Sequence, residues 1–202
     1  MAIKPILFNT EMVRAILDGR KTCTRRICKD ANEYTVPDMD FYNADRRTYA
    51  VHNYADKEHM EQLSTAERTC PICPADILYV RETFAQAARH IFWYRADNAE
   101  YTKNILWRPS IHMPKEAARI WLKVTDVRVE RLQDITIERI RKEGLEPRFK
   151  VKDKFSDGIA RGRFLELWNN TIKKSDLDRY GWDANPWVWV VEFERCEKPE
   201  VN

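Results

Sequence analysis

A lysine and a hydroxyl group stand three residues apart in the stretch GRKTCTRR, residues 19–26. Lys21 and Thr24 follow Gly19, which ends a predicted helix, so the backbone turns there and the lysine stem can swing towards the hydroxyl. Burial lowers the pKa of a lysine, and its neutral amine can then take a hydroxyl proton. The pair therefore indicates an activated nucleophile, although local composition alone favours a solvated basic turn.

Glu143 occupies the last turn of another predicted helix, over residues 136–143. Backbone carbonyls make the potential negative there, so a carboxylate is disfavoured by roughly 0.3–1 kcal/mol and lysine or arginine would be the natural choice. A residue that breaks a local rule without local gain is often functional. The alternative is a solvated glutamate that Lys142 and Arg139 screen.

Glu82 is unusual because it shares a face of a predicted strand with the apolar residues Leu78 and Val80. An inward carboxylate needs a cation, and Arg26 or another nearby arginine is suitable. A buried glutamate–arginine pair explains this pattern as well as a ligand contact does.

His112 and Trp107 are two further candidate ligand contacts. His112 lies between prolines in WRPSIHMP, an irregular segment, where packing or solvent exposure is commoner than catalysis. Trp107, like Trp187 and Trp189, offers a ring on which a base can stack, with core packing as the default interpretation.

The cysteines raise the question of a structural metal. Cys70 and Cys73 form a CPIC motif, with Cys23 and Cys28 upstream, and four thiolates can in principle hold zinc. The spacing of the upstream pair does not fit a second zinc knuckle. We therefore expect reduced packing residues and no metal, in keeping with an odd count of five cysteines in a reducing compartment.

Composition restricts the classes of partner. The 202 residues carry a formal net charge of only +3, which counts against binding long nucleic acids by charge alone. The opening MAIKPILFNTE contains no apolar run that suits a signal peptide or membrane span. We expect a cytoplasmic protein that does not associate with membranes.

The predicted elements form a mixed chain with few helices. A helix begins at Thr10 and ends at Gly19, and another covers about 158–172 with Phe164, Leu165 and Trp168 as its buried stripe. Strands are predicted over 76–84, over 119–132 with a bulge near Asp126, and over 186–194. Residues 31–68 and 85–118 are weakly periodic or irregular. This order favours an α+β fold built on a small mixed β-barrel.

The segment KPILFNTEMVRAILDGRKTCTRR resembles the opening of ASCH-domain proteins, whose hallmark is Gly-x-Lys-x-x-Glu-x-Arg after the first helix. Gly19, Lys21 and Arg26 match this pattern, whereas Thr24 replaces its glutamate. That departure is similar to the small ASCH proteins that act as N4-acetylcytidine amidohydrolases. PADILYVRETF, WRPSIHMP and the closing strand also resemble longer ASCH proteins of bacteria and bacteriophages.

The resemblance implies an architecture. ASCH domains have a β-barrel similar to the PUA domain, so we expect a PUA-like small mixed barrel with flanking helices. The whole chain, 1–202, would form one domain, with insertions at about 31–68 and 146–157 lying over the core.

The resemblance also implies roles for the unusual residues. Lys21 would be the base, Thr24 the nucleophile, and Glu143, just after a segment similar to the subgroup's Leu-x-x-Leu-Thr, would orient the lysine or carry a proton. Backbone amides or Arg26 would stabilise the oxyanion, and water attack assisted by the same groups is an equally compatible mechanism. The other substrate contacts would come from Glu82, His112 and Trp107. No metal or cofactor is required.

Three functions follow as expectations. The first is hydrolysis of N4-acylated cytidine, with a small nucleoside as the substrate. The second is recognition of RNA or a modified base without chemistry, and the third is metal-independent ribonuclease activity. The sequence leaves open whether RNA is a partner.

Overall fold

Ten strands and four α-helices define this fold within the residues that the structure describes. The computed structural model describes residues 1–29, 31, 35–44, 47–54, 62–97, 105–145 and 154–200. The strands are β1 (Ile3–Leu7), β2 (Cys23–Ile27), β3 (Thr35–Asn43), β4 (Thr48–Tyr54), β5 (Gln62–Thr69), β6 (Ile77–Arg81), β7 (Phe84–Ala88), β8 (Ile91–Tyr94), β9 (Trp121–Arg131) and β10 (Trp187–Cys196). The α-helices are α1 (Thr10–Leu17), α2 (Ile137–Lys142), α3 (Lys154–Thr171) and α4 (Leu177–Tyr180).

The central sheet has five strands in the order β1-β6-β9-β10-β2. Strand β1 pairs with β6 in parallel, and the other three pairings are antiparallel. Four α-helices accompany the described sheets, so the α+β class predicted from the sequence is confirmed. Among the described residues, no helix is both long and apolar enough to cross a membrane.

Strand β10 lies between two apolar layers. Trp189, Val191 and Phe193 face the main core, whereas Val188 and Val190 pack with α2 and α3 on the other side. A strand buried on both faces reads as a nearly continuous apolar run, which is what PWVWVVEFE shows. This strand therefore fixes the side of the sheet on which α3 lies.

Strand β9 contains the predicted bulge. Asp126 lies opposite Glu192 and Val124 lies opposite Phe193, so Thr125 is an extra residue in this ladder. The change of phase that the apolar pattern shows near Asp126 comes from this insertion.

The two edges of the sheet, β1 and β2, approach each other without closing. The guanidinium of Arg26 on β2 donates to the carbonyl of Leu7 at the end of β1, at 3.0 Å. Among the described residues, no backbone ladder joins these strands. The described ladders therefore do not close this sheet and a side chain bridges its gap, so the PUA-like small mixed barrel stays a prediction.

The predicted insertion at 31–68 lies on the core but is more regular than its sequence suggests. Strands β3, β4 and β5 form an antiparallel sheet, and the Tyr49 ring contacts Trp189 edge-on with centroids 4.9 Å apart. The weak periodicity has a physical reason: Tyr49, Ala50 and Val51 are consecutive and all buried, so strict alternation is lost. Residues 146–153 of the second insertion lie outside the described residues.

The stretch 85–118 also contains regular structure that the sequence analysis did not predict. Strands β7 and β8 form a hairpin, whereas WRPSIHMP contains one 3₁₀ turn, Ser110–His112, and an isolated bridge from Arg108 to Phe84. In α3, Phe164 and Trp168 are buried as predicted, but Leu165 is only half-buried. The buried residues of this helix instead recur at every fourth position, at Ala160, Phe164 and Trp168. That one domain includes the whole chain stays a prediction.

Candidate active site

Two glycines bring the ends of α1 and α2 together. Gly19 follows α1 with φ +73° and Gly144 follows α2 with φ +87°, in the left-handed region that favours glycine. After Gly19, the Lys21 amide donates to the carbonyl of Ala15 at 2.9 Å, and Lys21 forms an isolated antiparallel bridge with Glu143. The end of α2 is thereby placed beside the GRKTCTRR stretch.

Lys21 and Glu143 form a buried ion pair. The Lys21 Nζ lies 2.6 Å from Glu143 Oε2, and both residues are at most 4% exposed. The same ammonium donates to the carbonyl oxygens of Cys23, at 2.7 Å, and Glu143, at 3.0 Å. All three ammonium protons therefore have acceptors, and none is left over for a substrate in this state.

Burial and charge act on Lys21 in opposite directions. Burial lowers the pKa of Lys21, and the charge and hydrogen bond of Glu143 offset only part of that effect. A lysine of this kind can release a proton more easily than an exposed one, and Glu143 Oε2 is the nearest acceptor. The pair can exchange a proton over a distance of 2.6 Å.

Arg25 is a site residue that the sequence analysis missed. Its Nη1 donates to Glu143 Oε1 at 3.0 Å, so Glu143 is held by one cation on each carboxylate oxygen. Glu130 accepts from Arg25 Nη2 at 3.4 Å and also from Arg139 Nη1 at 2.6 Å. These contacts explain the carboxylate at the negative end of α2, because Lys21 and Arg25 together outweigh the helix carbonyls.

Thr24 is buried and contacts Arg26. The Arg26 Nη1 donates to Thr24 Oγ1 at 2.8 Å, and a guanidinium in this position stabilises negative charge on the threonine oxygen. The described hydrogen bonds include none between Lys21 Nζ and Thr24 Oγ1. Thr24 is 1% exposed, so very little of its surface is open to solvent.

A cavity of about 350 Å³ lies over this cluster. The predicted residues Lys21, Thr24, Arg26 and Glu143 all contribute to its wall, together with Arg25. The remaining wall is largely apolar and comes from β1, α1 and α3, including Phe8, Met12, Phe164, Leu167 and Trp168. Few polar groups in an otherwise apolar hollow are typical of a small-molecule site.

Glu82 lies elsewhere, and of the predicted partners, Arg26 or another arginine, it has another arginine, Arg119. Arg119 binds both Glu82 oxygens, at 2.9 and 3.1 Å, and stacks on Tyr94 at 3.9 Å. Burial raises the pKa of Glu82, and Arg119 opposes that effect. Because Glu82 is absent from the cavity wall, the buried-pair explanation describes it better than a substrate contact does.

His112 and Trp107 also lie outside the wall of this cavity. His112 is exposed at the end of a 3₁₀ turn, and Trp107 is half-buried in an irregular segment. The structure therefore brings together four of the seven predicted site residues and leaves out these two and Glu82. Helical and strand periodicity gives no information on irregular segments, so their distance from the cluster could not be predicted.

Cys70 and Cys73 are buried in the main core as free thiols. The Cys70 Sγ donates to the carbonyl of Ile72 at 2.8 Å, and burial raises the pKa of Cys70 above its usual range. Within the described residues, no group of three or more histidine, cysteine or acidic side chains is arranged to hold a metal.

Comparisons with known proteins give one likeness. No family model and no curated protein matches this chain. A solved structure described as an ASCH domain from Lactobacillus crispatus JV V101 is similar with a TM-score of 0.40 and 9% identity, over 96% of this chain and 79% of that chain. At that level of similarity, no residue role rests on this likeness.

Proposed function

We propose that this chain is an ASCH-family amidohydrolase that removes the acyl group from N4-acylated cytidine. The observation that supports this most is the buried Lys21–Glu143 pair, at 2.6 Å, in the wall of a cavity that Thr24 and Arg26 also line. A buried lysine with a lowered pKa beside a carboxylate is what general acid–base chemistry needs. The apolar wall suits a flat nucleobase.

The proposed reaction begins inside the ion pair. Lys21, whose pKa is lowered by burial, first loses one proton to solvent, which leaves a neutral amine beside the Glu143 carboxylate. The amine takes the Thr24 hydroxyl proton as the oxygen attacks the carbonyl carbon of the acyl amide, and Arg26 stabilises the negative charge. The C–N bond then breaks, and the Lys21 ammonium, which Glu143 orients, gives its proton to the N4 atom of the departing cytidine. Water hydrolyses the acyl-threonine and restores the site.

Activated water is the alternative nucleophile. It is favoured by the lack of a described hydrogen bond between Lys21 Nζ and Thr24 Oγ1, since a water molecule could connect the amine to the substrate carbonyl. In that mechanism Thr24 positions the substrate and forms no covalent bond.

The variants Thr24→Ser and Thr24→Ala separate these two mechanisms. If Thr24 attacks, serine keeps activity, alanine abolishes it, and an acylated Thr24 is detectable by mass spectrometry. If water attacks, alanine keeps measurable turnover with a raised KM and no acyl-enzyme forms.

The first experiment distinguishes the proposed function from its competitors. The protein is incubated with N4-acetylcytidine and, separately, with an unmodified RNA, both in the presence of EDTA, and the products are separated by chromatography. We expect cytidine and acetate from the nucleoside and intact RNA. Cleaved RNA would indicate a ribonuclease, and binding without any product would indicate a recognition module. A nucleoside substrate, RNA as a possible partner and a cytoplasmic location are all part of this proposal.

A further inference from the structure

Arg26 is a cation without a carboxylate partner. Its guanidinium donates to Thr24 Oγ1 and the Arg25 carbonyl, both at 2.8 Å, and to the Leu7 carbonyl at 3.0 Å. It also lies 5.3 Å from the centre of the Phe8 ring. All these partners are formally neutral. In the described part of the chain, no carboxylate lies within ion-pair distance of Arg26.

Two other arginines near the site, Arg25 and Arg139, do have carboxylate partners. Arg25 contacts Glu143 and Glu130, and Arg139 contacts Glu130. Burial lowers the pKa of Arg26, and the more distant charge of Glu143 offsets only part of this effect. Arg26 is half-buried, and a cation that is partly removed from water is stabilised when an anion compensates its charge. Arg26 thus lacks the counter-charge that its neighbour Arg25 has.

Arg26 also has hydrogen-bonding capacity left. A guanidinium carries five N–H groups in a fixed planar arrangement. Three of them are used by Thr24, Arg25 and Leu7. The described hydrogen bonds give the other two no acceptor, and a phosphate oxygen is the kind of acceptor that guanidinium binds best.

A second cavity of about 490 Å³ lies on the other side of Arg26. It shares Leu7, Arg26 and Ile27 with the cavity over Lys21, so the two hollows meet at the Arg26 side chain. The rest of its wall includes Lys29 and apolar residues such as Ile72 and Trp189. Among the described residues that line this second cavity, two are cations and none is a carboxylate, which makes it complementary to an anionic group.

We propose that Arg26 and Lys29 form a phosphate subsite, and that the substrate is a phosphate-bearing acylated cytidine with its base in the first cavity. This inference rests on the proposed function and names its substrate class. The phosphate could belong to a mononucleotide or to the backbone of an RNA strand, which share this chemistry. In either case, the open gap between β1 and β2 holds the substrate across both cavities.

The kinetic test compares three substrates: N4-acetylcytidine, its 5′-monophosphate, and a short RNA containing one N4-acetylcytidine. We expect Lys29→Ala to lower kcat/KM about 10-fold for the phosphate-bearing substrates, which corresponds to one charge-assisted contact, and to leave the nucleoside unchanged. Lys174→Ala, at an exposed lysine outside both cavities, is the control and should change none of the three. A larger effect on RNA than on the mononucleotide identifies the polymer as the substrate.

A binding test works even if hydrolysis is never observed. The affinities of cytidine and of cytidine 5′-monophosphate are measured by calorimetry for the wild type, Lys29→Ala and Lys174→Ala. We expect the monophosphate to bind about 10-fold more tightly than cytidine to the wild type and to lose this advantage only in Lys29→Ala. Equal affinities for the two ligands in the wild type would overturn the phosphate subsite. Preferential phosphate binding without hydrolysis would instead overturn the proposed activity alone.

Discussion

At the scale of single residues, the pair of Lys21 and Glu143 makes the activity depend on pH. The pKa of Lys21 is lowered by burial and partly restored by the charge of Glu143. If the neutral amine is the active form, kcat/KM rises with pH through this lowered pKa and then becomes constant. The rising limb of the pH profile therefore lies below the pH at which an exposed lysine titrates.

The variant Glu143→Gln tests this assignment. Glutamine removes the charge that raises the pKa of Lys21, so the rising limb moves to lower pH even though kcat falls. The measurement is the initial rate of N4-acetylcytidine hydrolysis between about pH 5 and pH 10. Residual activity with an unmoved limb would show that Lys21 is not the titrating base.

Arg25 is predicted to position Glu143 without touching the substrate. Arg25→Gln removes the donor at 3.0 Å from Glu143 Oε1, and we expect kcat to fall by about 10-fold or more. Because a nearby cation is lost, the rising limb of the pH profile moves to higher pH, and Arg25→Lys restores it in part. Arg139→Gln is the control, because the Arg139 side chain contacts Glu130 and not Glu143. Equal effects of Arg25→Gln and Arg139→Gln on the pH profile would refute this role.

At the scale of elements, the contact between α1 and α2 depends on Gly144. A Cβ at this position would lie 2.7 Å from Ala15 Cβ and 3.0 Å from Lys21 Cβ. Gly144→Ala should therefore destabilise the fold by about 2–4 kcal/mol, from overpacking and the left-handed backbone, and displace Lys21. Gly19→Ala is the matched control, since its φ is also positive but nothing lies within 4 Å.

Urea unfolding of the two glycine variants checks this prediction. We expect Gly19→Ala to lose only about 1–2 kcal/mol, the conformational cost alone, and to keep most of its activity. If the two variants lose equal stability, the close approach between α1 and α2 is not a constraint on the site.

The sequence predicts those parts of the site that depend on local pattern. Gly19 marks the end of α1, and the residues after it are near in sequence, so Lys21 and Thr24 could be singled out from their types alone. Glu143 could be singled out because it breaks a local rule at the end of a helix. The contact between them depends on the tertiary approach of α1 and α2, which no local pattern contains.

Arg25 and the β3–β5 sheet show what sequence patterns miss. Residues 23–25 of strand β2 are all buried. Polar and apolar side chains therefore do not alternate along the strand, and its sequence resembles that of a basic turn. The run of threonine and cysteine followed by Ile27 was a weak signal for a strand, and it would have placed Arg25 on the face opposite Thr24. The same loss of alternation hides β4 around Tyr49.

At the scale of the whole molecule, Asp76 connects distant parts of the chain. Its carboxylate is buried and accepts from Arg47 at 2.6 and 2.9 Å, from the amide of Ala2 at 2.8 Å and from the amide of Cys73 at 3.1 Å. Burial raises the pKa of Asp76, but these hydrogen bonds outweigh it and lower the pKa to about 2. The carboxylate therefore joins β6, the CPIC segment and the amino-terminal strand.

This lowered pKa predicts how stability depends on pH. An aspartate with a depressed pKa stabilises the fold above its unfolded value, near 4, and this contribution is lost as the pH falls through about 2. Asp76→Asn should therefore cost about 2 kcal/mol or more at neutral pH, with the difference from the wild type shrinking below about pH 4. Thermal unfolding across this pH range measures the difference in stability, with Asp134→Asn, at an exposed residue, as the control. A difference that does not depend on pH would mean that the charge of Asp76 contributes nothing.

The open sheet unites these features, because both cavities lie at the gap between β1 and β2. Arg26 bridges that gap and separates the cavities, while α3 covers one of them with Phe164 and Trp168. The candidate site therefore lies where the two edges of the described sheet approach each other.

The most direct test of the central claim is the rate of N4-acetylcytidine hydrolysis by Lys21→Ala, Glu143→Ala and the double variant, in EDTA and beside the wild type. We predict that each single variant lowers kcat by about 10²–10⁴ with its fold intact by circular dichroism. The double variant should be only slightly slower than either single one, because the two residues act as a unit. A Lys21→Ala variant with full activity, or a wild type that releases no acetate, would contradict the account and leave GRKTCTRR as a structural turn.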